Sequence, residues 1–351
     1  MEKIVLTARF SLVRKVLFLL SLVLPVNYAN AQNYRALSAN EGHAEVTELR
    51  YNEVQFKVAF DSRSKGPLDQ QLAFSPYKPW EGGCLGIELG IVQNPKFTGP
   101  DDNWEFSLQN GDEFQEESPS LRQTLQEISK WSSNHPGHHV VTIHIAIKGK
   151  KIIGDDKLFC EKFDDVLANE LGIEKIFTPA YLQRDASSLL SAVQQYGWPT
   201  LEELRGNFIV VLTGDDSNRL VSLRRMVYTY NEPYRRLAFV DIDHREVKRF
   251  SKNVSDIDNP GYREGSRVFL NIKFGHGDWI RLADGARKLG LVTRLWKVNT
   301  RNDWNLAKQA NVNLIATDMV HDSQWTALTT PVDDFRDDIE MEEAVVIETN
   351  G

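Results

Sequence analysis

Residues 84–92 read CLGIELGIV, an apolar run that contains a single charged residue, Glu88. Short apolar runs of this kind are typical of strands that are buried on both faces of a parallel sheet. A second run, Val140–Ile147, has the same character, and a helix-like stretch, Ser120–Ser132, lies between the two. Strands that alternate with helices along a chain indicate parallel strands joined by crossover helices.

Eight runs of this type occur between residues 54 and 316. A closed TIM-type (β/α)8 barrel needs eight parallel strands, so we predict this α/β fold, although an open doubly wound sheet shows the same alternation. Ser120 is expected to cap the helix that follows it, and Gly290 to end another. The runs are Val54–Phe60, Cys84–Val92, Val140–Ile147, Phe208–Leu212, Leu237–Ile242, Val268–Phe274, Leu291–Val298 and Asn313–Ala316, and the other helix-like stretches are Phe159–Leu171, Asp278–Leu289 and Arg301–Ala310.

The two ends of the chain differ from this pattern. Residues 1–31 combine Arg9, Arg14 and Lys15, a short apolar run and the small-residue site Ala29-Asn30-Ala31, which predicts a signal peptide. An uncleaved amphipathic or buried helix is the alternative. Residues 331–351 are rich in Asp and Glu with little apolar periodicity, which predicts an acidic, solvated tail. The barrel is therefore assigned to residues 32–330.

Composition limits the classes of partner. The chain has 351 residues and a formal net charge of -8, which argues against a nucleic-acid partner. No stretch after the signal peptide is apolar enough to cross a membrane, so we expect a secreted or periplasmic protein with no transmembrane segment after signal cleavage. Cys84 and Cys160 are the only two cysteines. Export permits a disulfide between them, but the sequence does not decide whether they meet.

Functional groups of a β/α barrel stand where its strands end and in the loops that follow. No G-x-S-x-G elbow and no glycine-rich phosphate loop occurs at these places, which disfavours a serine hydrolase and a nucleotide enzyme. His135, His138 and His139 precede the run Val140–Ile147, so we expect them at the opposite end of the barrel. The candidates at the strand ends are Asp61, Ser62, Arg63, Glu88, Gln109, Asn110, Lys148, Asp215, Asp216, Asp241, Asp243, Lys273, His276, Arg294, Trp296 and Asp318.

Several motifs resemble those of bacterial calcium-dependent phosphoinositide phospholipase C-like proteins, a branch of the phospholipase C-like phosphodiesterases. The resemblance extends from Val54 to Asp318 and implies a barrel of the TIM type. The stretches that carry it are Asp61-Ser62-Arg63-Ser64, Gly86-Ile87-Glu88-Leu89-Gly90, Trp131-Ser132 with His135-Pro136-Gly137-His138, Gly197-Trp198-Pro199-Thr200-Leu201 and Leu291 to Asp318.

The resemblance also implies a mechanism, in which two histidines transfer protons and a Ca²⁺ ion neutralises the phosphate. In this sequence the first histidine position is Asp61, and the second falls at Gln109 or Asn110. An amide side chain does not exchange protons near neutral pH, and one carboxylate does not serve both ends of the reaction. The family's reaction by its own mechanism is therefore not expected.

The positions of the Ca²⁺ ligands are similarly altered. Glu88 retains the carboxylate that the resemblance implies, whereas Ser62, Gly90 and Ala146 stand where the family has its other metal ligands. Ca²⁺ takes six to eight oxygen ligands, including several carboxylates, and one glutamate falls far short of this. Glu88 is also suited to a simple ion pair with Lys148.

Three hypotheses follow. The first is an exported pseudoenzyme without a cofactor, which binds a small phosphorylated ligand, a phospholipid head group or a partner; its candidate ligand-binding residues are Arg63, Lys148, Lys273 and Arg294. The second is an active phosphoric diester hydrolase that uses Asp61 and Glu88 with a metal, Ca²⁺ if the site functions. The third is an interaction module that contacts its partner through the acidic tail. The oligomeric state stays open.

Overall fold

The computed structural model describes residues 49–74, 77–96, 99, 104–108, 113–149, 154–214, 218–230, 235–244 and 265–327. The chain divides into two compact units, residues 1–37 and 38–351, and every described residue belongs to the second unit. The predicted signal peptide, the acidic tail, and the candidates Gln109, Asn110, Asp215 and Asp216 lie outside the described residues.

The described strands form one sheet that closes on itself. Eight strands run parallel in the order β1-β9-β8-β7-β6-β5-β4-β2, and β1 pairs with both β9 and β2, which excludes an open sheet. The ninth strand, β3, pairs antiparallel with β2. The strands are β1 Phe56–Ala59, β2 Gly86–Gln93, β3 Phe106–Leu108, β4 Val141–Ile147, β5 Phe208–Gly214, β6 Phe239–Asp243, β7 Phe269–Lys273, β8 Val292–Trp296 and β9 Leu314–Thr317.

Helices occupy most of the connections between the parallel strands, as a β/α barrel requires. They are α1 Leu68–Leu72, α2 Leu121–Asn134, α3 Asp156–Leu171, α4 Pro179–Gln183, α5 Leu189–Tyr196, α6 Arg219–Tyr230, α7 Trp279–Lys288 and α8 Arg301–Gln309, with 3₁₀ turns at Tyr51–Glu53, Ser62–Lys65, Ile173–Lys175 and Gln324–Thr326. None of the helices in this described part is both long and apolar enough to cross a membrane.

Aromatic side chains fill the N-terminal end of the barrel. Phe56, Phe239 and Phe269 are the first residues of their strands, and all three are buried. Tyr51 and Trp198 pack against Phe269 from outside the strands, and the ring centroids of Trp198 and Phe269 are 5.3 Å apart. This end is therefore closed by apolar packing, which leaves the polar interior positions near the C-terminal ends of the strands.

The structure confirms the predicted barrel. Each of the eight apolar runs overlaps one of the parallel strands, and β2, β5, β6 and β9 end one or two residues beyond their runs. Ser120 caps α2 as expected, and Gly290 follows α7 with a φ of +76°, a backbone conformation that glycine adopts without strain. His135 caps the C-terminal end of α2, before β4, so this histidine lies at the end of the barrel opposite the strand ends that carry the candidates.

Candidate functional site

A pocket of about 370 Å³ opens at the C-terminal ends of the strands. This volume lies within the range of sites for small molecules. Every parallel strand except β9 contributes a lining residue, either from the strand itself or from the residues that follow it. The lining side chains used below are Phe60, Glu88, Ala146, Lys148, Thr213, Asp243, His244, Asn271, Lys273, His276, Arg294 and Trp296.

Glu88 of β2 and Arg294 of β8 form a buried ion pair across the barrel. Their side chains are 5% and 3% exposed, and Nη2 of Arg294 donates a hydrogen bond to Oε2 of Glu88. The ammonium group of Lys148, with 31% of its side chain exposed, lies 3.6 Å from the other carboxylate oxygen. The ion pair with Lys148 that the sequence suggests is present, but Arg294 is the closer partner.

The ion pair continues as a chain of hydrogen bonds across the interior. Nη1 of Arg294 donates to Oδ1 of Asn271 at 3.0 Å, and Nδ2 of Asn271 donates to the hydroxyl of Thr213 at 3.1 Å. Thr213 in turn bonds the carboxylate of Asp241, which also accepts from Arg225 of α6. Burial raises the pKa of Asp241, and the Arg225 guanidinium opposes this rise. The chain links β2, β8, β7, β5 and β6, so it fixes these side chains relative to one another.

Trp296 forms an aromatic wall of the pocket. The ring of Phe60 stacks on it with centroids 5.7 Å apart and an interplanar angle of 7°. The ammonium groups of Lys273 and Lys297 lie 5.6 Å and 5.7 Å from the centroid of the Trp296 ring, within the distance of a cation–π contact. Lys273 is exposed, so its charge faces solvent at the pocket mouth.

His144 of β4 pairs in register with Glu88 and is buried in the barrel. Burial lowers its pKa well below the ordinary value, and the positive charge of Arg294 lowers it further. His144 is therefore neutral near pH 7, and it adds no positive charge to the interior.

Two further histidines, His244 and His276, line the same pocket. Their ring centroids are 4.1 Å apart, and Nδ1 of His244 lies 3.4 Å from Oδ1 of Asp243. His276 and Asp243 are among the candidates predicted from the sequence, whereas His244 is not. The sequence feature that identifies His244 as a candidate is its position directly after Asp243, at the end of the predicted strand Leu237–Ile242.

Several predicted residues lie elsewhere. Asp61, in the left-handed conformation with a φ of 53°, precedes the turn Ser62–Lys65 and is not among the described residues that line the pocket. Arg63 does not line it either, because its guanidinium donates to the carbonyl of Leu108 and to the hydroxyl of Ser118. Asp318 pairs with Lys65, its carboxylate oxygen lying 2.7 Å from the ammonium nitrogen.

The residues that the sequence resemblance implies as Ca²⁺ ligands do not fit a calcium ion. Both carboxylate oxygens of Glu88 already face cations, and the side chains of Gly90 and Ala146 offer no oxygen. The hydroxyl of Ser62 is buried, where it donates to the carbonyl of Ala59 and accepts from the backbone N–H of Glu88. Within the described ranges, no group of three His, Cys, Asp or Glu side chains is placed to hold a metal ion.

Cys84 and Cys160 are both free, buried thiols. Burial raises the pKa of Cys84 to about 11 and that of Cys160 to about 12. A high pKa keeps a thiol protonated and unreactive, so these cysteines have a packing role. The disulfide that the sequence left open is not formed.

Two sequence comparisons found similar proteins. A family model described as "Phosphoinositide phospholipase C, Ca2+-dependent" matches residues 110–257. The "PI-PLC X domain-containing protein 1" of Arthroderma benhamiae is 27% identical over 202 residues, which are 55% of this chain. The match spans 57% of that protein's length.

Solved structures share the fold. A calcium-dependent phosphoinositol-specific phospholipase C from a Gram-negative bacterium, Pseudomonas sp, is similar with a TM-score of 0.61 and 16% identity, over 79% of this chain and 93% of that one. A Ca²⁺-dependent phosphatidylinositol-specific phospholipase C from Streptomyces antibioticus has a TM-score of 0.55 and 13% identity, over 80% of this chain and 98% of that one. At identities this low, the similarity shows a shared barrel fold and nothing more.

Proposed function

We propose that this chain is a member of the calcium-dependent phosphoinositide phospholipase C-like family and that it binds a small phosphate-bearing ligand in its pocket without calcium-dependent turnover. The observation that carries the proposal is the convergence of Lys148, Lys273 and Arg294, from three different strands, on one pocket. Cationic side chains placed together by a rigid scaffold are suited to hold a phosphate group.

The charge balance of the pocket supports an anionic ligand. Three cationic side chains line it against two carboxylates, those of Glu88 and Asp243, in a chain whose formal net charge is -8. Glu88 is engaged by Arg294, which leaves the ammonium groups of Lys148 and Lys273 as the more exposed charges. The pocket is therefore positive in an otherwise acidic protein, and Trp296 adds an apolar surface for the rest of the ligand.

The loss of calcium-dependent turnover is supported by the donor set. Glu88, the one carboxylate kept among the family's metal positions, is held in an ion pair, and Ser62, Gly90 and Ala146 supply no further anionic ligand. A proton donor and a proton acceptor are both needed for phosphodiester cleavage by the mechanism that the family implies. Asp61 does not line the pocket, so it does not replace the first histidine there.

Binding is tested by titration calorimetry with myo-inositol 1-phosphate, glycerol 3-phosphate and inorganic phosphate, and with vesicles that contain phosphatidylinositol. Soluble ligands and vesicles distinguish a free phosphate ester from a lipid head group. Replacing Lys148 or Lys273 by Gln should weaken binding about tenfold, the effect of one charged hydrogen bond. Lys130→Gln, at an exposed site on α2, is the matched control and should leave affinity unchanged. Equal affinity in all variants would reject the proposed site.

An active phosphoric diester hydrolase is the alternative, favoured by the similarity to phospholipases C over residues 110–257. It is tested by hydrolysis of phosphatidylinositol and of a soluble phosphodiester, with Ca²⁺ and with chelator. We expect no turnover under either condition. Turnover that requires Ca²⁺ and is lost in Glu88→Gln, while that variant keeps its fold, would replace our proposal by the alternative.

The proposal includes export of the chain. The pattern of residues 1–31 supports a signal peptide, and cleavage after Ala31 would leave Gln32 as the first residue. N-terminal sequencing of the protein recovered outside the cytoplasm should therefore begin at Gln32 or its cyclised form. Recovery of an intact N-terminus in the cytoplasm would contradict this part of the proposal.

A further inference from the structure

His244 and His276 stand together inside the pocket that we assign to the phosphate group. His244 directly follows β6, and His276 lies three residues beyond the end of β7. Their ring centroids are 4.1 Å apart with an interplanar angle of 62°, so the two imidazoles are in direct contact. His244 is 2% exposed, whereas His276 is partly exposed.

Charged groups from five strands surround the two rings in this pocket. Lys148, Lys273 and Arg294 oppose protonation of either imidazole, whereas Asp243, 3.4 Å from Nδ1 of His244, favours it. Glu88 also lines the pocket, but Arg294 engages its carboxylate. Two imidazolium ions in contact would repel each other, so the pair accepts one proton far more readily than two.

We infer that His244 and His276 act as one proton-binding unit, which takes up a proton when a dianionic phosphate or sulfate group enters the pocket. This inference rests on the proposed function, because it requires an anion at this site. An imidazolium ion donates hydrogen bonds from both ring nitrogens, whereas a neutral imidazole donates from only one. A dianion therefore stabilises the protonated pair and offsets the repulsion from the three neighbouring cations.

The direction of the pH dependence follows from this linkage. The bound anion raises the pKa of the pair above its value in the free protein. The added affinity is fully present below the free-state pKa and is lost as the pH rises through the bound-state pKa. An isolated histidine has a pKa of about 6.5. Above this pH, the affinity for the anion should therefore fall by up to about tenfold per pH unit.

The experiment is calorimetric titration of the purified full chain with inorganic sulfate between about pH 5.5 and pH 8.5, across the range in which histidine titrates. Sulfate keeps its charge throughout this range, so any proton uptake belongs to the protein. Measurements in buffers of different ionisation enthalpy give the number of protons taken up. We expect uptake to approach one proton per sulfate where affinity is falling. Inorganic phosphate, which titrates itself, is the second probe.

His276→Gln is the decisive variant, because His276 is the more exposed ring and its loss perturbs packing less. Proton uptake should fall towards zero and the affinity for sulfate should become nearly independent of pH, while thermal melting verifies the fold. His244→Gln should act in the same direction. His135→Gln is the matched control, an exposed histidine at the opposite end of the barrel, and should keep the wild-type profile.

The outcomes separate the two proposals. If sulfate and phosphate bind at no pH, the proposed function fails and this inference fails with it. If they bind with an affinity that does not depend on pH, or if His276→Gln and His244→Gln both keep the wild-type proton uptake, the inference alone is overturned.

Discussion

Glu88, which the sequence resemblance implies as a metal ligand, is held in a buried ion pair. Its carboxylate is buried between Arg294 and Lys148, and the guanidinium of Arg294 is hydrogen-bonded to Asn271 in turn. A buried charge is tolerated when a partner compensates it, and removal of one partner leaves the other uncompensated. Glu88 and Arg294 are therefore expected to matter for stability as a pair.

The first prediction concerns this pair. Glu88→Gln should lower the free energy of unfolding by about 3–5 kcal/mol, the cost of leaving one buried charge without its partner. Combining it with Arg294→Met should restore part of the loss, since the double variant removes both charges. Chemical denaturation measures these differences. Arg281→Gln, which breaks an exposed pair with Asp278, should cost only about 0–1 kcal/mol. A double variant that is less stable than both single variants would contradict the argument.

The second prediction concerns Lys57, a buried lysine that points outward from β1. Its ammonium group donates to the carbonyls of Trp80 and Val320, at 2.7 Å and 2.9 Å, and to the hydroxyl of Thr326. Burial lowers the pKa of Lys57, so the folded protein binds fewer protons at this site than the unfolded chain. Stability from this site therefore rises as the pH increases through the folded-state pKa towards the unfolded value near 10.5.

The measurement compares Lys57→Met with the wild type from pH 7 to pH 10. Near neutral pH the variant should lose roughly 1–3 kcal/mol, because the carbonyl of Trp80 loses its Lys57 donor and that of Val320 keeps only the N–H of Gly82. The difference between the two proteins should then increase towards high pH. Lys130→Met, at an exposed position, provides the control for general effects of pH. A difference that shrinks as the pH rises would show that the sign is wrong.

The pairings within the site lie beyond what sequence reasoning reaches at the residue scale. Glu88 and Arg294 are separated by 206 positions, and only the closure of the barrel brings β2 and β8 to opposite sides of one pocket. Lys148 was the natural guess because its strand neighbours that of Glu88. Arg63 was grouped with the ligand-binding cations because it follows β1, but its hydrogen bond to the carbonyl of Leu108 holds it away from the pocket lining.

At the scale of elements, local sequence patterns predicted helices and strands better than they predicted the pairings within the site. The helix α2 begins where Ser120 accepts a hydrogen bond from the backbone of Gln123, while the side chain of Gln123 accepts from the backbone of Ser120. This reciprocal arrangement needs only four consecutive residues, so it is visible in the sequence. The strands were equally visible, since β4 is buried along its whole length and reads as a continuous apolar run apart from Thr142 and His144.

The third prediction tests the cap of α2. Ser120→Ala should lower the free energy of unfolding by about 1 kcal/mol, because the N–H of Gln123 loses its acceptor. Ser133→Ala, in the last turn of the same helix, is the control. Its hydroxyl donates to the carbonyl of Ser129 and accepts an exposed, 3.5 Å hydrogen bond from Lys175. Alanine has the higher helix propensity, so the change should stay within about 0.5 kcal/mol. Equal losses in the two variants would mean that the cap contributes nothing specific.

The pairing of β3 with β2 marks the limit of prediction for elements. Residues 104–108 read WEFSL, and nothing in them specifies an antiparallel pairing with Gln93, Val92 and Ile91. That pairing depends on the register of two segments, which a short apolar run does not define. Gln109 follows β3 directly. Its location in the barrel therefore depends on the pairing of β3, which the sequence does not predict.

At the scale of the whole molecule, the contacts that close the barrel and the side chains that line its pocket are different sets of residues. The pairing of β1 with β2 and β9 closes the barrel, and aromatic packing seals its N-terminal end. None of these contacts involves the residues that distinguish this pocket from a calcium site. The contacts that close the barrel therefore do not include Glu88 or Arg294, whose ion pair and hydrogen bonds occupy its interior.

The fourth prediction follows from this separation. A ligand that binds only the folded state raises the free energy of unfolding by RT ln(1 + [L]/Kd), about 2.7 kcal/mol at a hundredfold excess over Kd. Saturating inositol phosphate should thus raise the melting temperature of the chain. Ca²⁺ should leave it unchanged, since Glu88 is already compensated and Gly90 and Ala146 offer no oxygen from their side chains. Thermal melting with each additive, and with chelator, measures both effects.

Arg294→Met provides the sharper form of this test. Without the guanidinium, the carboxylate of Glu88 loses its closest cationic partner. A bound Ca²⁺ ion would then compensate this buried negative charge. The variant should therefore melt at a lower temperature than the wild type and gain more from added Ca²⁺, while its gain from inositol phosphate should shrink. A wild type that Ca²⁺ stabilises and chelator destabilises would show instead that the pocket holds the metal with Arg294 in place, and the binding role proposed for this barrel would have to yield to a calcium-dependent one.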